Sequence, residues 1–199
     1  FGKVCDGDDV LYIIANHLMD TGRFNGGVVG TLMSNFGLEL AFSENGIGFS
    51  RAKVGDRYVN EKLIQHGWVL GGEPSGHIVC RDITTTGDGI IAALQVLRAM
   101  VEEGKGLHEL LKGLIKFPQK LKNVRVAARF APAEEPALQK AIAMANEKLN
   151  GLGRVLLRAS GTEPLIRVMV EGRDQEMVDE LVDYLAAEVE RVAKEKNGN

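Results

Sequence analysis

The chain has 199 residues, 45% of them hydrophobic and 26% charged, a balance ordinary for a globular protein that buries its own core. A formal net charge of −3 and a pI near 5.9 leave no electrostatic footprint for nucleic acid or an anionic membrane surface. No apolar run is long enough to span a bilayer. The two cysteines, Cys5 and Cys80, lie far apart without metal-type spacing, which fits a reducing, cytoplasmic setting.

Taken in order, residues 8–19 carry apolar positions at helical spacing, with Asp6 or Asp8 as N-cap and Gly22 as a stop. Residues 27–31 read as a short buried strand, and 34–42 as a helix capped by Ser34. The next strand spans 47–54 and the next helix 56–66. Residues 68–72 and 77–80 read as two strands around a tight loop. Asp88 caps a strong helix to about residue 103, with Ile90, Ile91, Leu94, Leu97 and Val101 expected on its buried face. A shorter helix covers 107–115. Strands alternating with helices predict a three-layer α/β domain with a mixed sheet over residues 1–116.

Phe117-Pro118-Gln119 interrupts the pattern and marks the expected domain boundary. After it come a strand over 123–129 and a helix over 134–149 with Pro136 in its first turn. Two strands joined by a short loop follow, then a long amphipathic helix from Asp174 with Met177, Leu181, Leu185, Val189 and Val192 on one stripe. The order β-α-β-β-α predicts a smaller α+β domain over 117–199, an antiparallel sheet with helices on one face.

Two stretches carry chemistry. In Arg158-Ala159-Ser160-Gly161-Thr162-Glu163-Pro164-Leu165-Ile166-Arg167, hydroxyls and backbone N–H groups lie between two arginines. Gly161 permits a positive φ, so successive N–H groups can point into one concavity, and an arginine fork suits a phosphate. A phosphate cradle and a plain surface hairpin with two solvated arginines both fit. In Gly71-Gly72-Glu73-Pro74-Ser75-Gly76-His77, a carboxylate beside a hydroxyl can grip adjacent sugar hydroxyls, or the stretch is a Gly-Pro turn. Val54-Gly55-Asp56-Arg57-Tyr58-Val59 lies where a strand meets a helix, the usual ligand edge of an open α/β sheet. There Asp56 reads as an N-cap, and Arg57 as a substrate contact or a surface ion pair. Asp6-Gly7-Asp8-Asp9 resembles a metal loop, but the helix that follows at once favours capping.

Those stretches, with Thr86-Gly87-Asp88-Gly89, occur in one order across nearly the whole chain and together resemble the α-D-phosphohexomutase family. The resemblance implies the third and fourth of four domains. It implies that Glu73, Ser75, Gly55 and Asp56 face the sugar, and that Arg158, Ser160, Gly161, Thr162 and Arg167 hold a phosphate, with His77 and Arg57 as further candidates. The implied reaction interconverts a hexose 6-phosphate and 1-phosphate, and the Gly-Asp-Arg-Tyr loop favours glucosamine, through glucosamine 1,6-bisphosphate. Mannose and glucose phosphates are alternatives within the family. The family's phosphorylated serine and its Mg²⁺ loop, Asp-x-Asp-x-Asp-Arg, belong to the two preceding domains. Asp6-Gly7-Asp8-Asp9 lacks the third alternating aspartate and the arginine, so no metal site is expected here. With Phe1 in place of Met, a fragment is expected, one that binds phosphosugar, has its own N-terminal domains as partner and does not catalyse alone. A non-catalytic phosphosugar-binding module is the reading from another class. No nucleic-acid or membrane partner is expected.

Overall fold

In the computed structural model, which describes residues 2, 4–24, 26–128, 130–161 and 163–197, the chain divides into two units, Phe1–Lys116 and Phe117–Asn199. The first begins with α1 (Gly7–Asp20). Asp6 starts this helix: its side chain accepts from the Asp8 and Asp9 N–H groups, and the Asp9 carboxylate accepts from the Asp6 N–H. There follow β1 (Gly27–Thr31), α2 (Phe36–Glu44), β2 (Gly48–Ala52), α3 (Asp56–His66), β3 (Leu70–Gly72), β4 (Ile78–Cys80), α4 (Gly89–Glu103) and α5 (Leu107–Leu110).

The strand order is β2-β1-β3-β4, with β2, β1 and β3 parallel and β4 antiparallel to β3. Alternate strand residues serve opposite faces. Val28, Leu70 and Ile78 pack with α1, α2 and α4, whereas Val29, Ala52 and Val79 pack with α3. The unit is therefore three layers around a mixed sheet, and the carboxyl ends of its three parallel strands lie along one edge.

In the second unit, β5 (Gln119–Arg125), α6 (Pro136–Leu149), β6 (Gly153–Ala159), β7 (Leu165–Gly172) and α7 (Gln175–Asn197) form an antiparallel sheet of order β5-β7-β6. Val168 and Val170 pack with Leu138 and Ala145 of α6 and with Leu181, Leu185 and Val189 of α7, so the core lies on one face of the sheet.

Several local expectations are corrected. Asn35, not Ser34, caps α2, because Ser34 Oγ is taken by the Thr31 N–H at 3.0 Å. Gly55, not Asp56, is the N-cap of α3, and Asp56 is its first helical residue. The strand expected over 123–129 begins at Gln119, directly after the proline, and Arg129 lies outside the described residues. Its lysines hid it: Lys120 and Lys122 pair with Asp179 and Asp183 of α7, so a polar stretch still forms a ladder. The short helix after α4 ends at Leu110 rather than residue 115. On α4, Ile90, Leu94, Leu97 and Val101 are 75%, 56%, 53% and 80% exposed. That helix rests on α1 through Ala92 and Ala99, whose small side chains allow close approach and turn the larger residues outward.

Candidate functional site

The stretch around Glu73 follows β3, at the edge where the parallel strands end. Its Glu73 N–H donates to the His77 carbonyl and its carbonyl accepts from the Gly76 N–H, both at 3.0 Å, so the loop closes on itself. The Glu73 side chain is 9% exposed, and its carboxylate accepts the Gly55 N–H at 2.9 Å. Two of the expected sugar loops, one after β2 and one after β3, are thereby joined. Gly55 has φ +125°, a conformation L residues rarely adopt, so glycine is required at this junction. Gly7 is required for another reason: its N–H donates to the Pro74 carbonyl at 3.0 Å, and a Cβ there would collide with the Glu73 carbonyl.

Ser75, Asp56 and His77 are exposed around this rim. Arg57 is 80% exposed and pairs with Glu61 at 2.8 Å, one turn along the same helix, which is the surface ion pair rather than an inward-facing contact. Between the two joined loops lies the turn after the central strand β1. Its geometry was not signalled by any motif, because the residues that fix it, Asp8 and Arg51, come from distant parts of the chain. The Asn35 N–H donates to Asp8 Oδ2 at 2.8 Å. Burial pushes the Asp8 carboxyl up to about 6, while the Asn35 N–H pulls it back, the Asp6 charge raises it further, and Lys116 and the Ser34 side chain oppose.

In the second unit, Arg158 and Arg167 stand directly opposite each other across β6 and β7. Like charges facing across an antiparallel pair repel. Among the described residues neither is paired with a carboxylate, and Arg167 Nε is buried without a hydrogen-bond partner. Four residues away on the same face, Arg154 also stands opposite its register partner, Glu171, and that rung is closed by a 2.7 Å ion pair. The connecting turn is held by the Ser160 N–H on the Leu165 carbonyl at 2.9 Å. Ser160 is 4% exposed, and its Oγ accepts the Glu163 N–H at 3.3 Å, leaving its own O–H to donate.

The expectation for Gly161 is corrected in one respect. Its φ is not in the left-handed region, so the turn does not use glycine for a positive-φ nest. A Cβ at Gly161 would meet nothing within 4 Å, and what the residue leaves is open space above the turn. Thr162 lies outside the described residues.

Among the described residues no group of three or more His, Cys, Asp or Glu side chains is placed to hold a metal ion. Asp6 and Asp9 both take Lys116 Nζ, at 2.6 and 2.7 Å, besides forming the helix cap. Engaged in this way, Asp6 and Asp9 do not fit a magnesium ion. Burial pushes the Cys80 thiol up to about 11, far from a reactive thiolate. No helix among the described residues is long and apolar enough to cross a membrane.

Comparison with known proteins agrees with this layout. The family model for the α/β/α domain III of phosphoglucomutase/phosphomannomutase matches residues 6–117, and that for the C-terminal domain of the same family matches 121–188. The chain is 84% identical to a phosphoglucosamine mutase of Marinomonas sp. (strain MWYL1), over 98% of this chain and 44% of that protein. It is 58% identical to the phosphoglucosamine mutase of Methylococcus capsulatus, over 96% of this chain and 42% of the relative. It thus spans less than half the length of the curated relatives it matches. Among solved structures, Aspergillus fumigatus N-acetylphosphoglucosamine mutase, in complex with GlcNAc-6P and magnesium, shares the fold, with a TM-score of 0.80 at 22% identity, over 96% of this chain and 45% of that one.

Proposed function

Because the chain belongs to the phosphoglucomutase/phosphomannomutase family, we propose that it is the substrate-gripping portion of a phosphoglucosamine mutase, which interconverts glucosamine 6-phosphate and glucosamine 1-phosphate through the 1,6-bisphosphate. The observation that carries this reading is the Arg158–Arg167 rung: two facing guanidinium groups, one with an unsatisfied buried donor, beside a turn with a buried hydroxyl. An arrangement of that kind is completed by an anion able to accept several hydrogen bonds, and a phosphate is such an anion. In this reading Arg158, Ser160, Gly161, Thr162 and Arg167 hold whichever phosphate is not reacting.

On the first unit, Glu73 and Ser75 grip the sugar hydroxyls, and Gly55 and Asp56 form the second wall. His77 and Arg57 stand at the periphery of that wall. The bond from Gly55 to Glu73 fixes one wall against the other before any ligand arrives. Pre-set contacts to the sugar and the remote phosphate convert binding energy into positioning of the reacting end. The serine that carries the phosphoryl group, and the magnesium that offsets its charge, would belong to the additional length of the longer relatives. The chain by itself is therefore expected to bind phosphosugar without turnover.

Titration of glucosamine 6-phosphate, mannose 6-phosphate and glucose 6-phosphate into the chain tests this. The highest affinity for the glucosamine ester, with no product formed, is the expected result. Equal affinity for all three would move the assignment to another mutase of the family, and binding of none would overturn it.

A further inference from the structure

We propose that the turn 31–35 is a third ligand-contacting loop of the first unit's rim, with Asp8 and Arg51 as its positioning residues; this rests on the phosphosugar reading above. The turn follows β1, the central strand, and so lies between the loops that follow β2 and β3. In open α/β sheets, ligands sit outside the carboxyl ends of such strands.

The turn is fixed far more heavily than a connection between strand and helix requires. Inside it, the Met33 N–H donates to Thr31 Oγ1 at 3.1 Å and the Thr31 N–H to Ser34 Oγ at 3.0 Å. From β2, Arg51 Nη1 donates to the Thr31 carbonyl at 2.9 Å and the Ser34 carbonyl at 2.6 Å, while its Nε and Nη2 rest on the Glu39 carboxylate. From α1, Asp8 Oδ2 takes the Asn35 N–H. The residue before Asp8, Gly7, holds the Pro74 carbonyl of the Glu73 loop. Arg51 thus ties the central turn to β2, and the start of α1 ties it to the loop after β3. With the bond from Gly55 to Glu73, all three loops become one hydrogen-bonded unit.

The cost of this arrangement is visible. Asp8 is 2% exposed, and its Oδ1 is buried without a partner. An asparagine would accept the Asn35 N–H without a buried charge, so a carboxylate here lowers stability. Such costs persist where they hold a geometry that function needs. The groups facing Asp8 are Asp6, Lys116, Ser34 and Asn35, and its raised pKa places loss of the charge within an accessible pH range.

The test compares affinity for glucosamine 6-phosphate in the wild type, Asp8→Asn and Arg51→Lys between pH 5 and 8. The ligand's phosphate titrates equally in each titration, so the ratio of dissociation constants isolates the protein. For Asp8→Asn the ratio is expected to be about tenfold near pH 8, where a charge-assisted hydrogen bond is replaced by a neutral one, and to fall toward one at pH 5. Arg51→Lys keeps the charge but not the fork, and is expected to weaken binding several-fold at every pH. Ratios of one throughout, or a pH-independent ratio for Asp8→Asn, would overturn the proposal. Absence of wild-type binding would remove the ligand role together with the functional reading. The Asn35 amide shift in the free chain separates these failures. A midpoint near 6 that vanishes in Asp8→Asn keeps the clamp, and a flat wild-type profile removes it.

Discussion

Two rungs of the β6–β7 hairpin, four residues apart on one face, are built in opposite ways. At one, Arg154 meets Glu171, which is fully buried, and the charges cancel within the protein. At the other, Arg158 meets Arg167, and nothing among the described residues cancels them. Both rungs share the same strands, the same register and the same residue type on β6. The difference shows that the chain neutralises an arginine where it serves the fold. Beside the Ser160 turn it leaves the positive charge for something outside itself.

The largest expected effect breaks the first rung. Arg154→Ala removes the 2.7 Å ion pair from the buried Glu171 carboxylate, and urea unfolding should show a loss of about 3–5 kcal/mol. A loss below 1 kcal/mol would mean that the rung is not the structural member of the pair. Next in size is Asp8, the buried carboxylate of the first unit, whose desolvation outweighs the Asn35 N–H and Lys116. Its folded pKa, about 6, lies above the ordinary aspartate value, so the folded state holds that proton more tightly than the unfolded chain. Its contribution to stability is therefore lowest above pH 6 and grows as the pH falls from 6 toward 4, by up to ~3 kcal/mol. Asp8→Asn should remove that slope from the pH dependence of unfolding, and an unchanged slope would show that another group carries it.

A smaller effect sharpens the second rung. Arg158→Glu replaces a repulsive cross-strand pair by an attractive one, and should raise stability by about 0.2–1 kcal/mol. The smallest effect concerns the outward face of α4. Leu94→Lys and Leu97→Lys should each change stability by no more than about 0.5 kcal/mol, because both positions are over half exposed in this chain. A thermal melt lowered by several degrees would instead show that face to be covered.

That last case shows where sequence reasoning stops. The spacing of Ile90, Leu94, Leu97 and Val101 announces a helix with an apolar stripe, but periodicity does not say which face a neighbour will cover; here Ala92 and Ala99 took that place. Caps were legible because they are local: Asp6 and Asp88 announce α1 and α4 within three residues. The stripe of α7 was legible because Leu181, Leu185, Val189 and Val192 face the core they predict. At the candidate site, the motifs located Glu73 and the two arginines, yet not the bond from Gly55 to Glu73 or the register that sets Arg158 against Arg167. A signal for the register was present, since positions 160 and 165 closing a turn place 158 opposite 167. Asp8 and Arg51 had none, being brought to the central turn from separate elements by the fold alone.

The most direct measurement pairs calorimetric titration of glucosamine 6-phosphate with thermal unfolding, for the wild type and Arg158→Glu. The account predicts that the variant melts at the same or a higher temperature and loses ligand binding, because a rung left positive for a phosphate has been neutralised from within. A variant that binds as the wild type does would contradict it, and so would one that loses binding only by unfolding.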